Sequence, residues 1–535
     1  MPPKFFSSPT TSTVVVDERP LVDLPRDIWD VIAEFIPDND LKRLYSVTPA
    51  FLYRALQLRY QSLQVAKWAD LSTCRTLDHA KTPFCAAFVR QLSVQFEGLQ
   101  QHGIQNRPGI SPMSLSSSTI LLGKTQRYAQ GSLSFISSRL SQRVIPSLEL
   151  TMALLLDTIP HLSRIDTFSI NCWDLPQGLD VSTILVAAWS SFGSNITTFI
   201  FNGNIDSYQF LCNSKPHLPN LTFLELDTTL NLSRTVRDIE QERQVLRDYV
   251  APFVASLAPQ LLSFQLFFFP NADLSELFNL ISGVRFGKLR YLRLRMPYNR
   301  PYEDPSGLLA FLSPATLPML EDLHLRLNPT GAALDRSNEI PLAEFLTALA
   351  DYTPMTFTNL RSLELFPTHL PEGRDVLYTA ISRSTETLRS FCVRDRSLQP
   401  DEFVELVRTL LGCKELRMLR LNLSKLDINV VDLLANSFPK LIRLTIAIDE
   451  SRNLEEPSVS PTLEADLATR DFSSWELRDL GFYRAGSQVD RNLMEAFARH
   501  VPSIISFWGN GHKLSPEYEL RTRKVFLSSS YPPCS

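Results

Sequence analysis

The sequence predicts an α/β chain: a small N-terminal helical module, then a long solenoid with a parallel concave sheet and convex helices. Three observations predict it. A chain of 535 residues is too long for one compact core unless units stack along it. The pattern Leu-x-x-Leu-x-Leu recurs from residue 89 to residue 482. Residues 20–65 lack that pattern and carry helical spacing instead, punctuated by Pro and Asp.

Residues 1–19 are rich in Pro, Ser and Thr and predict a disordered lead. In the module that follows, Pro25 suits a helix start, where its missing N–H costs nothing. Asp27 and Asp30 lie near the positive end of that helix's dipole. Ile28, Ile32, Phe35 and Ile36 fall at i, i+4, i+7 and i+8, one apolar stripe. Leu41, Leu44 and Val47 extend a second helix. Pro49 is expected to interrupt the chain before a third helical piece, Phe51 to Tyr60.

The clean repeats begin at Leu221, Leu289, Leu320, Leu360 and Leu416. Degenerate ones begin at Leu388, Leu441 and Leu477, and fainter ones at Val89, Ile165, Ile196 and Leu261. From Leu261 the starts are 261, 289, 320, 360, 388, 416, 441 and 477, so the steps are 28, 31, 40, 28, 28, 25 and 36. A short alternating strand at such steps is the mark of leucine-rich repeats, here longer and less even than usual. Between the strands, Leu274, Leu277, Phe278 and Ile281 keep helical spacing. So do Leu342, Phe345, Leu346 and Leu349, and Phe403, Leu406, Val407 and Leu410. Each such helix buries its stripe only by stacking on its neighbours. An all-helical array is the competing architecture, and the period-2 Leu-x-Leu triplets argue against it. The expected organisation is a solenoid over residues 66–515, an irregular insertion near 97–145 and a flexible tail over 516–535.

Composition excludes several function classes. A net charge of −4 argues against bulk nucleic-acid binding. Seven Cys with no C-x-x-C spacing signal neither a disulfide framework nor a metal site. Reduced thiols in the cytoplasm and/or nucleus are expected. Met1 to Ser8 lacks an apolar signal-peptide core, and Leu261–Phe269 is too short to span a bilayer, so no membrane partner is expected. Gly123-Lys124-Thr125 resembles the end of a phosphate loop, but Ser118 stands where that loop needs Gly. With no hydrolase elbow, zincin or kinase signature either, neither catalysis nor a cofactor is expected.

The order Leu24-Pro25-x-x-Ile28, Ile32, Phe35-Ile36-Pro37, Asp40-Leu41-x-x-Leu44-x-x-Val47 and Phe51 resembles an F-box. The ending Val47, Phe51, Ala55, Arg59 and Tyr60 is similar to large fungal F-box families. The resemblance covers residues 20–65, less than a tenth of the chain. It departs at Pro49, where the third helix usually begins, and in the lack of a following Trp. It implies a substrate receptor of an SCF-type (cullin–RING) ubiquitin ligase. The F-box would dock a Skp-type adaptor, and through it a cullin, while the solenoid recruits a client protein. Carried onto this chain, adaptor docking falls to Leu24, Pro25, Ile28, Ile32, Ile36, Leu41, Leu44 and Val47. Some of these must also hold the helices together. The alternative is a ligase-independent protein-binding scaffold.

In each Leu-x-x-Leu-x-Leu unit the residues flanking the last Leu point to the concave surface. The column after it reads Asp227, Phe267, Arg295, Arg326, Phe366, Arg394, Asn422, Ala447, Tyr483. The column before it reads Glu225, Gln265, Arg293, His324, Glu364, Cys392, Arg420, Thr445, Gly481. Arg293, Arg295, Arg326, Arg394 and Arg420 therefore cluster mid-arc, with Phe366 and Tyr291 nearby. Arg and aromatics anchor binding surfaces, and Arg reads carboxylate or phosphate bidentately. The expectation is a grip on an acidic or phosphorylated client segment. Solvated strand positions also carry charge without function, and Glu364 is placed to neutralise part of the patch.

Overall fold

The computed structural model describes residues 25–36, 38–41, 43–44, 47–96, 147–173, 175, 179–228, 239–268, 273–296, 304–327, 339–352, 357–448, 458–484 and 488–507. The expected lead, Leu24, the 97–145 insertion and the 516–535 tail lie outside the described residues. The chain divides into two units, Met1–Ser62 and Leu63–Ser535.

The N-terminal unit contains α1 (Arg26–Phe35), α2 (Asp38–Leu41) and α3 (Pro49–Tyr60). The carbonyl of Pro25 accepts from Ile28 and Trp29, opening α1. Ala33, Leu41 and Phe51 form the buried core, with Trp29, Ile32, Ile36, Leu44 and Leu58 packed on it. The Trp29 and Phe51 rings meet edge-on at 5.3 Å. Two expectations need correction. Pro49 starts α3 rather than interrupting it: it occupies the first turn, and the Thr48 hydroxyl caps that turn by accepting from Phe51 N at 3.2 Å. Leu44 and Val47 do not extend α2, which ends at Leu41. They follow in turns, closed by Leu44 N–H to Asp40 O and Val47 N–H to Leu44 O.

The second unit is one sheet of strands in sequence order. These are β1 (Ser62–Val65), β2 (Gln91–Gln95), β3 (Thr167–Asn171), β4 (Thr198–Asn202), β5 (Phe223–Asp227), β6 (Ser263–Phe267), β7 (Tyr291–Arg295), β8 (Asp322–Arg326), β9 (Ser362–Phe366), β10 (Ser390–Leu398), β11 (Met418–Leu423), β12 (Arg443–Ile448), β13 (Asp479–Arg484), β14 (Gln488–Val489) and β15 (Ser506–Phe507). Neighbours from β2 to β13 pair in parallel, so each step needs a crossover, and helices supply it. β14 is antiparallel to β13, and β15 is parallel to it. This is an irregular leucine-rich-repeat solenoid, as the periodicity predicts.

Every repeat identified in the sequence is a strand. The repeat leucines are buried: Leu224, Leu292, Leu323, Leu363 and Leu419 are at most 2% exposed. Each such side chain contributes roughly 1.5–3 kcal/mol. The helical stripes pack behind them. Leu274, Leu277, Phe278 and Ile281 are fully buried, as are Leu342, Leu346 and Leu349. In β3, β4 and β6, aromatic residues take the place of leucine. Phe168 and Phe199 stack at 5.7 Å, and Phe264 stacks on Phe286 at 6.3 Å.

One close approach ties neighbouring repeats together. A Cβ placed on Gly307, in the helix Ser306–Phe311, would lie 2.6 Å from the backbone N of Asn279 in the helix Ser275–Ile281. That backbone cannot yield without moving its helix. Gly307→Ala is therefore expected to destabilise the solenoid by about 1–3 kcal/mol. An unchanged thermal melting midpoint would contradict this.

Candidate functional site

The concave face holds a cavity of about 700 Å³ spanning β4 to β12. Its wall follows from strand alternation: leucines point into the solenoid core, and the residues between them point to the concave side. The register aligns Glu225, Gln265, Arg293, His324, Glu364, Cys392, Arg420 and Thr445 in one row, the inner column of the sequence. The outer column is aligned from Asp227 through Phe267, Arg295 and Arg326 to Phe366.

Glu364 organises the middle of the arc. Its Oε1 accepts from Arg326 Nη2 and from Arg394 Nε, each at 2.6 Å. Its Oε2 lies 2.7 Å from His324 Nδ1, and His324 Nε2 lies 2.9 Å from Asp322 Oδ1. The Phe366 ring lies under both guanidinium groups, at 5.0 Å from Arg326 and 6.0 Å from Arg394. Burial alone would raise the Glu364 carboxyl, but Arg326 and protonated His324 outweigh it and hold the group down at about 2. Burial likewise disfavours the His324 imidazolium. Asp322 and the hydrogen bond to Glu364 overcome that and raise it to about 9. His324 is therefore a third cation at neutral pH.

The predicted client-binding residues divide. Tyr291, Arg293, Arg394 and Arg420 line the cavity. Tyr291 is 48% exposed, an aromatic open to contact. Arg326 and Phe366 are buried, and Arg326 is committed to Glu364, so neither is free to grip a client. That corrects the expectation that all five arginines face a ligand together. Arg295 does not line the cavity. The Nε atoms of Arg295 and Arg420 are buried without a hydrogen-bond partner, and Arg293 makes no ion pair among the described residues. Five arginines and protonated His324 against Glu364 and Asp322 leave the middle of the arc positive.

The predicted adaptor-docking residues divide too. Ile28 and Val47 are 43% and 61% exposed, and Pro25 is exposed. Leu41 is buried, and Ile32, Ile36 and Leu44 pack on the core, so these four hold the helices together. Two residues outside the predicted set join the outward face: Val31 at 52% and Phe35 at 83% exposure. Their signal is spacing, since 28, 31 and 35 fall at i, i+3 and i+7 of α1, a stripe beside the inward one.

The described cysteines are free thiols, and burial pushes Cys172 and Cys392 well above the ordinary range, which suits packing rather than nucleophilic chemistry. Among the described residues no helix is long and apolar enough to cross a membrane.

No protein-family model matches the chain, and no curated protein sequence matches it. Among solved structures it is similar to a chain in the crystal structure of the Rad7 and Elc1 complex in yeast. That match has 13% identity and a TM-score of 0.38, and covers 82% of this chain and 89% of that one. It is also similar to a protein from Bacteroides fragilis at 15% identity and a TM-score of 0.28, over 63% of this chain and 85% of that one.

Proposed function

We propose that this chain is the substrate-recognition subunit of an SCF-type ubiquitin ligase. In this reading the N-terminal unit is an F-box that docks a Skp-type adaptor, and the concave arc recruits a client protein. The observation that carries it is the apolar face of α1. Among the described residues the unit's buried core cluster is only Ala33, Leu41 and Phe51, and Ile28, Val31, Phe35 and Val47 are left in solvent. So small a module needs a partner to be stable, and an exposed apolar patch of that kind marks where the partner sits. The arc supports the second half: Arg293 and Arg420 line its cavity and make no ion pair among the described residues, which suits an acidic or phosphorylated segment. The protein itself performs no chemistry in this scheme; it raises the effective concentration of client lysines at the ligase.

The test is reconstitution of the full-length chain with a Skp-type adaptor and a cullin, followed by size-exclusion chromatography. One peak containing all three supports the proposal. Adaptor without cullin supports the ligase-independent scaffold, and neither partner means that the apolar face serves something else.

A further inference from the structure

The cavity changes character along the arc. Its wall carries Arg293, Arg394 and Arg420 on β7, β10 and β11. Towards the other end lie Gln265 on β6 and, beside it on β5, Glu225, which lies next to the lining rather than in it; each holds an acceptor oxygen that lacks a donor. Glu225 is 3% exposed and Gln265 8%, and Oε1 of each is buried with no hydrogen-bond partner. Gln265 lines the cavity directly. Register sets Glu225 beside Gln265, and Gln265 beside Arg293. No ion pair joins Glu225 to Arg293 among the described residues. Buried acceptors without donors are rare, because each costs free energy until something donates to it. Burial, with Asp227 two residues further along the strand, pushes the Glu225 carboxyl up to about 7, and Arg293 offsets this only in part. A cation in contact would hold that carboxyl ionised.

We propose that Glu225 and Gln265 are the cation-reading half of a two-charge site. They take a lysine or arginine side chain of the bound polypeptide while Arg293, two strands away on β7, takes an anionic one. This rests on the reading of the arc as the client-recruiting surface. Strands lie about 4.8 Å apart, so β5 and β7 are about 10 Å apart across the arc. An extended chain advances about 3.3 Å per residue. The preferred segment therefore carries a basic and an acidic residue about three positions apart, rather than a uniform acidic run. Its direction along the arc follows: basic end toward β5, acidic end toward β7.

The test uses fluorescence anisotropy on the full-length chain with two labelled 12-residue peptides. One repeats lysine-glycine-glycine-glutamate, and the other replaces every lysine with glutamate. The wild type should bind the mixed peptide at least about tenfold more tightly than the acidic one. Glu225→Gln should lose that margin and keep its affinity for the acidic peptide; a thermal melt verifies that it is folded. The inference alone is overturned if the acidic peptide binds the wild type as well as the mixed one does, or if Glu225→Gln keeps the margin. If neither peptide binds, the inference fails together with the client-recruiting reading of the arc.

Discussion

Glu364→Ala is expected to lower the stability of the solenoid by about 3–5 kcal/mol, the usual cost of stranding a buried charge. Arg326 and Glu364 have side chains only 3% exposed, and Arg394 12%, so water cannot replace the lost carboxylate. Removing one acceptor leaves two guanidinium groups and His324 facing each other. Urea denaturation followed by circular dichroism measures the effect, and a loss below about 1 kcal/mol would mean that the cluster is solvated after all. The same cluster sets a pH window. His324 is raised from 6.5 to about 9, so its contribution is full below pH 6.5 and is lost as pH rises through 9. Glu364 is depressed from 4.5 to about 2, so its contribution is full above pH 4.5 and is lost as pH falls through 2. The wild type should therefore lose stability as pH rises from 6.5 through about 9. His324→Gln should show a much flatter profile over that interval.

The solenoid was legible because its signal is covalent spacing. Strand alternation aligns one residue in two, so both concave columns could be written from the repeat alone. The register keeps the inner one throughout and the outer one from Asp227 to Phe366, and it shifts in β10 after Val393. The faint repeats at Ile165, Ile196 and Leu261 are faint for a physical reason: Phe168, Phe199 and Phe264 fill the core in place of leucine and stack on other aromatics. What spacing could not supply is how charges pair. Arg326 and Arg293 look alike in the sequence, but Glu364 lies on β9 next to β8, and it takes up Arg326, while Arg293 makes no ion pair among the described residues. Nor does a helix stripe say which of its edges is inward. Ile32 and Ile36 pack on the core of the N-terminal unit, and Val31 and Phe35 face out, because Phe51 of α3 and Trp29 of α1 close that side.

That outward edge leads to the second large effect. Phe35 is 83% and Val31 52% exposed, so a charge at either position disturbs little of the fold. In a docked complex the same two side chains would be desolvated against the adaptor, and a buried aspartate there has no partner. Losing an apolar anchor of an interface costs about 2 kcal/mol or more, roughly thirtyfold in affinity. The double variant Val31→Asp, Phe35→Asp should therefore lose at least about a hundredfold. By contrast, Leu41→Ala empties part of the module's core and weakens docking only by unfolding it. The decisive measurement is the dissociation constant of a Skp-type adaptor for the full-length protein and for the double variant, with circular dichroism as the control for folding. Tight binding to the wild type and loss of at least a hundredfold in a folded variant is the predicted result. Equal binding by both, or none by the wild type, would contradict the assignment of this face to an adaptor.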